Sequence, residues 1–315
     1  MLLALAGGVG AARLLRGMVD VMAAADITAV VNTGDDLVLN GLHISPDLDT
    51  VTYTLADAVD GDQGWGLAGE TWAAMEALGR YQGGHTWFRL GDRDLATHLF
   101  RTQRLTEHAT LSDVTAAVAR GWGVDVRVLP MSDDRVETRV TIAGPVAGTS
   151  VEVGFQEWFV GRRHGVAVES VRFLGAGEAR PAPGVLEAIA SAEHVVICPS
   201  NPIVSIGPVL AVPGIEEAVA DRRDAVVAVS PIVAGVAVKG PAGRMMIDLG
   251  HEASVVGVAR LYAPLAGTLV IDEADSGLAG AVEAEGVRAV VAPSVMTGRA
   301  EAAALATAVL RATGP

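Results

Sequence analysis

The chain has a single cysteine, Cys198, in 315 residues. No internal disulfide framework is possible, and a reducing compartment fits, so a cytoplasmic location is expected. Positive charge is also scarce: 23 Lys and Arg stand against 37 Asp and Glu, a net charge of −14. That balance argues against a basic face for nucleic acid, although a local site can oppose the global field and take an anion. No uninterrupted apolar run approaches the ~20 residues needed to span a bilayer, so no membrane partner is expected. Met1 to Ala6 is apolar, but it is short, lacks a basic region and runs directly into glycines. It reads as a first strand, not a signal peptide. No Gly-Lys-Ser/Thr occurs, so there is no P-loop. Lysine is almost missing, and the lone Lys239 reads as coding bias. What remains is 50% hydrophobic and only 19% charged, enough for a sizeable core.

One stretch organises the rest: Val30-Val31-Asn32-Thr33-Gly34-Asp35-Asp36, continued by Gly41 to Thr50 with Asp47 and Asp49. The apolar run Ile27 to Val31 reads as a buried strand that breaks into a turn. Four carboxylates, Asp35, Asp36, Asp47 and Asp49, then follow within fifteen residues. They repel one another unless something positive is shared between them. A solvated acidic loop is the bland alternative. The end of a buried strand is, however, where open α/β sheets place their ligands, which favours a site.

Ahead of this stretch, Met1 to Ala6, the turn Gly7-Gly8-Val9-Gly10 and a helix with Leu14, Met18 and Met22 on one stripe form a βαβ unit. The glycines let the backbone approach a phosphate, and the helix start favours an anion. Arg13 stands where a dinucleotide fingerprint wants glycine or alanine. After an interrupted helical region from Asp49 to Leu78, with Trp65 and Trp72 as packing residues, comes a segment dense in Arg, Asp and aromatics. In it Asp92 is expected to cap a helix carrying Leu95, His98 and Leu99. Arg89 lies among apolar neighbours and is hard to explain as a solvated charge. A further helix is expected near Asp113 to Val118, capped by Ser112.

Val126 to Phe173 alternates and reads as inserted antiparallel strands, with Arg162, Arg163 and His164 on the surface. From Glu193 the α/β rhythm returns in the runs His194–Cys198, Ala225–Val229, Thr268–Ile271 and Arg288–Val291, and Glu301 to Arg311 closes as a helix. The expected fold is α/β, with a Rossmann-like, mostly parallel sheet. It forms a single domain over 1–315 with an insertion near 84–180, helices first and antiparallel strands after. One sheet edge would gather Gly7 to Gly10, Asn32 to Asp36, Ser200, Asn201, Ser230, Asp275 and Thr297.

Ala-Gly-Gly-Val-Gly at 6–10, Asn-Thr-Gly-Asp-Asp at 32–36, Pro-Asp-Leu-Asp-Thr at 46–50, Gly-Asp-Arg-Asp-Leu-Ala-Thr-His at 91–98 and Ser-Asn-Pro at 200–202 resemble the 2-phospho-L-lactate transferase family of coenzyme F420 biosynthesis. The resemblance runs over nearly the whole chain in the right order. It is to the bacterial, phosphoenolpyruvate transferase branch. It implies transfer of a phosphoenolpyruvyl (or phospholactyl) group from a guanosine diphosphate adduct to the deazaflavin Fo, with release of GMP. A Mg²⁺ ion and a homodimer are implied as well. Fo binding is carried over to Asp49 and Arg89, with Thr33 and Asp36 beside them. The nucleotide side is carried over to Gly7, Gly8, Val9, Gly10, Ser200 and Asn201, with Ser230 and Thr297 on the same edge.

The chemistry agrees. Carboxylates beside a diphosphate repel it by roughly 4 kcal/mol per close pair at an effective dielectric near 20. A divalent cation, which oxygen ligands suit, resolves the conflict. Asp35, Asp47 and Asp49 are the expected metal ligands, and Asp47 and Asp49 the expected catalytic pair, Asp49 as the base. The alternatives are a nucleotide- or nucleotide-sugar-binding regulator of the same superfamily and an NAD-dependent oxidoreductase, which Arg13 weakens.

Overall fold

In the first strand, β1 (Leu2–Ala6), every residue is buried and alternate side chains go to opposite faces. Leu3 and Leu5 enter one apolar core, while Leu2, Ala4 and Ala6 enter another. A strand apolar on both faces belongs in the middle of a parallel sheet covered by helices. The computed structural model, which describes residues 1–146 and 148–313, places it there. The other strands are β2 (Ile27–Val31), β3 (Arg127–Pro130), β4 (His194–Ile197), β5 (Val226–Val229), β6 (Thr268–Ile271) and β7 (Arg288–Val291). Across the sheet they run β7-β6-β5-β4-β1-β2-β3, each parallel to its neighbours. This is the Rossmann-like order with one more strand at the far edge. β1 pairs Leu2 with Ile27 on one side and with His194 on the other. The order reverses between β1 and β4, so the crevice for a ligand opens beyond their carboxyl ends.

β3 corrects one reading. Arg127–Pro130 was expected to open the antiparallel insertion, but it joins the parallel sheet beside β2. Pro130 is tolerated there because an edge strand needs no donor on its outer side. The antiparallel sheet comes after it and is smaller: Glu137–Ala143 lies between Ser150–Gly154 and Val168–Leu174. Its alternating Thr138, Val140 and Ile142 are buried, and Val140 and Ile142 pack with Phe155 and Trp158.

Helix α1 (Gly8–Val21) buries Leu14, Leu15 and Met18, the expected stripe. At Gly17 the C-terminal helix, Arg299–Ala312, comes so close that an added Cβ would collide with the Ala302 carbonyl oxygen. α2 (Pro46–Leu55) follows a two-stranded hairpin, Leu37–Leu39 with Leu42–Ile44, that the sequence did not announce. α3 (Ala73–Leu78) and α4 (Asp94–Thr106) exchange caps. The Asp92 carboxylate accepts from the backbone N–H of Ala73 and Ala74, and the Glu70 carboxylate accepts from those of Arg93 and Asp94. Asp92 thus caps the preceding helix, α3, rather than α4. α5 (Leu111–Gly121) is capped by the Thr110 hydroxyl, and Ser112 donates to Asp133 instead.

Candidate active site

Beyond the carboxyl ends of β1 and β4 lies a cavity of about 530 Å³. The glycine turn forms its floor. Gly8 has a φ of +72°, and an added Cβ at Gly10 would collide with the Pro199 carbonyl oxygen. Only glycine lets α1 start so near the loop after β4. Ser200 ties the two strand ends together, its hydroxyl donating to the Gly7 carbonyl at 2.9 Å. Asn201 uses its side-chain oxygen to cap the following turn at Ile203, and the Ser230 hydroxyl bridges the backbone of Ile232. All three line the cavity, but those polar groups already hold loops.

The acidic residues divide into two groups. Asp35 and Asp47 meet at the Asn32 amide, which donates to both at 3.2 and 2.9 Å. Asp47 also accepts from the Gly8 N–H, at 2.9 Å, at the positive end of α1. Burial still pushes Asp47 up to about 6, and burial and the Asp47 charge push Asp35 well above the usual carboxylate range. A shared proton or a shared cation would relieve that pair. The donors are oxygens, which fits Mg²⁺.

Asp49 belongs to the second group. Two residues on along α2, it is buried and held through both oxygens by the guanidinium of buried Arg101. His98 Nδ1 lies 3.3 Å from the same guanidinium, which has no acceptor to offer. Nδ1 therefore accepts, and the ring proton sits on Nε2, 3.1 Å from Asp94. Tyr53 donates to Asp94 at 2.7 Å. Burial alone would raise the Asp94 carboxyl, but neighbouring His98, the hydrogen bond from Tyr53 and the Arg101 charge together hold it below its ordinary value. Atoms of Asp49, Asp94 and His98 lie within 4.8 Å of one another, around the Arg101 guanidinium. The trio Asp35, Asp47 and Asp49 is thus divided, and Asp94 and His98 are added. Their signal was present in the 91–98 motif, at the spacing of one helical turn.

Other expectations shift. Thr33 and Asp36 face a second cavity, of about 280 Å³, behind the acidic loop. There burial pushes Asp36 up to about 8 in spite of a hydrogen bond from Ser45. Thr297 is exposed and does not line the main cavity; Ser294 and Met296 of that loop do. Asp275 is buried elsewhere, accepting from the Ala234 N–H. Arg89 does line the main cavity, its guanidinium 4.1 Å over the Trp72 ring. An aromatic wall closes one side. Phe155 and Phe159 stack at 5.5 Å, and His164, exposed but at the cavity rim, continues the stack at 5.3 Å. Arg13 and Lys239 also line the cavity, and sequence reasoning gave neither a role there.

A family model described as 2-phospho-L-lactate transferase CofD matches residues 2–303. A protein of Streptomyces griseus named phosphoenolpyruvate transferase is 47% identical over 303 residues, covering 96% of this chain and 95% of its own. One of the same name from Mycolicibacterium smegmatis is 41% identical over 319 residues, covering 98% of each. A crystal structure of a UPF0052-family protein from Bacillus halodurans superposes with a TM-score of 0.60 at 18% identity over 98% of each chain, a likeness of fold.

Proposed function

The chain belongs to the 2-phospho-L-lactate transferase CofD family, and on that premise we propose that it is the phosphoenolpyruvate transferase of coenzyme F420 biosynthesis. The donor is enolpyruvoyl-2-diphospho-5'-guanosine and the acceptor the deazaflavin Fo. A ribityl hydroxyl oxygen forms a bond to the phosphorus bearing the enolpyruvyl group. The bridging P–O bond breaks, GMP leaves, and the product is dehydro-F420-0. The observation that carries this reading is the convergence on one cavity, at the strand-order reversal, of two acidic groups, the α1 N-terminus and the basic side chains Arg13, Arg89 and Lys239, which form no ion pair among the described residues. Phosphoryl transfer asks for positioning and charge neutralisation more than for covalent chemistry.

Asp35 and Asp47 are the residues that would hold Mg²⁺, with Asp49 on the same wall. When bound, the ion neutralises the diphosphate and offsets its repulsion by the carboxylates. Asp49, kept in one orientation by Arg101, accepts the hydrogen bond of the attacking hydroxyl and takes its proton. Arg89 and the aromatic wall support binding of the planar deazaflavin. The glycine turn and the loop of Ser200 and Asn201 support the nucleotide end. The soluble substrates and the absence of any membrane-spanning helix among the described residues suit a cytoplasmic enzyme, and a homodimer is part of the proposal.

The enolpyruvyl and lactyl donors differ by two hydrogens, so a pocket separates them by at most ~1–3 kcal/mol. Incubating enzyme, Fo and MgCl₂ with each guanosine adduct, and weighing the product by mass spectrometry, decides the donor. Dehydro-F420-0 with GMP is expected from the enolpyruvyl adduct. Preference for the lactyl adduct overturns the donor assignment. Bound guanine nucleotide without product from either would favour the regulatory binder.

A further inference from the structure

Two basic side chains at one end of the cavity have no anionic partner among the described residues. Arg13, on α1, donates to the Met296 carbonyl at 2.9 Å. Lys239 follows the hairpin Ile232–Val233 with Val236–Ala237 and donates to the Gln63 carbonyl at 2.5 Å. Arg16, on the same helix, and Arg299 both bind Asp20 and Asp57. Arg13 and Lys239 form no ion pair among the described residues. They converge on Gly64, where an added Cβ would lie 2.9 Å from Lys239 Nζ and 3.6 Å from an Arg13 nitrogen. Burial, and then the Arg13 charge, push the Lys239 ammonium below its ordinary pKa. Two cations held together without a carboxylate, on the wall of a cavity, form a binding subsite for an anion.

The glycine turn leaves room for such a subsite. Its Gly8 N–H is already taken by Asp47, which leaves fewer backbone donors there for a diphosphate. We propose that Arg13 and Lys239 bind the outer phosphate of the donor, the one carrying the three-carbon group. Lys239 exchanges the Gln63 carbonyl for a phosphate oxygen as the donor enters. The Asp60–Gly66 loop is preformed for this. Asp60 accepts from the N–H groups of Asp62 and Gln63, and Gly64 donates back to the Asp60 carbonyl, so the Gln63 carbonyl is held toward Lys239 before any ligand arrives. The identity of the phosphate rests on the transferase reading; the subsite itself does not.

The test is isothermal titration of wild type, Lys239→Gln, Lys239→Arg and Arg13→Gln with GDP and with GMP. In Lys239→Gln the GDP affinity should fall roughly tenfold to a hundredfold, as for loss of a charged hydrogen bond, while GMP affinity changes by less than about threefold. Lys239→Arg should keep most of the GDP affinity, and Arg13→Gln should follow Lys239→Gln. In turnover, Lys239→Gln should raise KM for the adduct more than it lowers kcat. Unchanged GDP affinity in Lys239→Gln, or equal losses for GDP and GMP, would overturn the subsite even if the wild type makes product. Selective loss of GDP binding in an enzyme that makes no product from either adduct would uphold the subsite and sink the transferase reading.

Discussion

The Asp49 carboxylate is held by Arg101 in a buried ion pair. Removing one partner of such a pair leaves the other charged and unsolvated, at a cost of ~3–5 kcal/mol. Asp49→Asn should therefore lower stability to urea as well as turnover. The double variant Asp49→Leu with Arg101→Met should be more stable than either single change, because no orphan charge remains. Additive losses in the cycle would contradict that account. Arg89 is the opposite case. It is exposed, it makes no ion pair among the described residues, and Trp72 beneath it contributes about 0.5–1 kcal/mol at an exposed site. Arg89→Ala should leave the melting temperature nearly unchanged and weaken Fo binding roughly tenfold to a hundredfold. A large loss of thermal stability with Fo affinity intact would give Arg89 a purely structural role. Residue roles of this kind were only half legible. Asp35, Asp47, Asp49 and Arg89 announced themselves by density or by apolar neighbours. Arg101 did not, because a helical arginine with an ordinary spacing carries no mark of the partner it meets fifty-two positions away.

Helix ends show where local patterns mislead. Asp92 lies two residues before α4 and has the right side chain for its cap, yet the chain folds so that Glu70 reaches forward and Asp92 reaches back. Gly91 makes this possible, since an added Cβ there would collide with the Glu70 side chain. Glu70→Ala should cost about 1 kcal/mol in thermal or urea unfolding, in the range of lost caps. Gly91→Ala should cost more, because it displaces Glu70 and disturbs both helices. If Gly91→Ala proves harmless, the exchanged caps do not matter to stability. The parallel strands, by contrast, were legible nearly residue for residue. A short, continuous apolar run bounded by turn-rich ends is too short for an ordinary helix and so suits a strand buried on both faces. β3 escaped because its Arg-Val-Leu-Pro is short, ends in proline and stands next to alternating strands. The hairpin Leu37–Leu39 with Leu42–Ile44 escaped because three residues make no period.

At the scale of the molecule, the site is assembled from loops that follow several strands of one sheet. The acidic pairs and the expected diphosphate are mutually repulsive, so activity should vanish in excess EDTA and return with MgCl₂. Full turnover in EDTA would remove the metal from the mechanism. The same architecture bears on how the chain comes to be folded. β1 is made first, yet one of its two neighbours is β4, and the Gly7–Ser200 link that closes the crevice joins residues 193 positions apart. At ribosomal speeds of roughly 5–20 residues per second, β1 spends ~10–40 s with one edge unpaired. Through that interval an all-apolar strand is exposed to any other strand that can reach it. Pairings this distant in sequence also make for slow refolding. The crevice that would give this protein its chemistry is thus also its weakest point during synthesis, when aggregation competes with the arrival of β4.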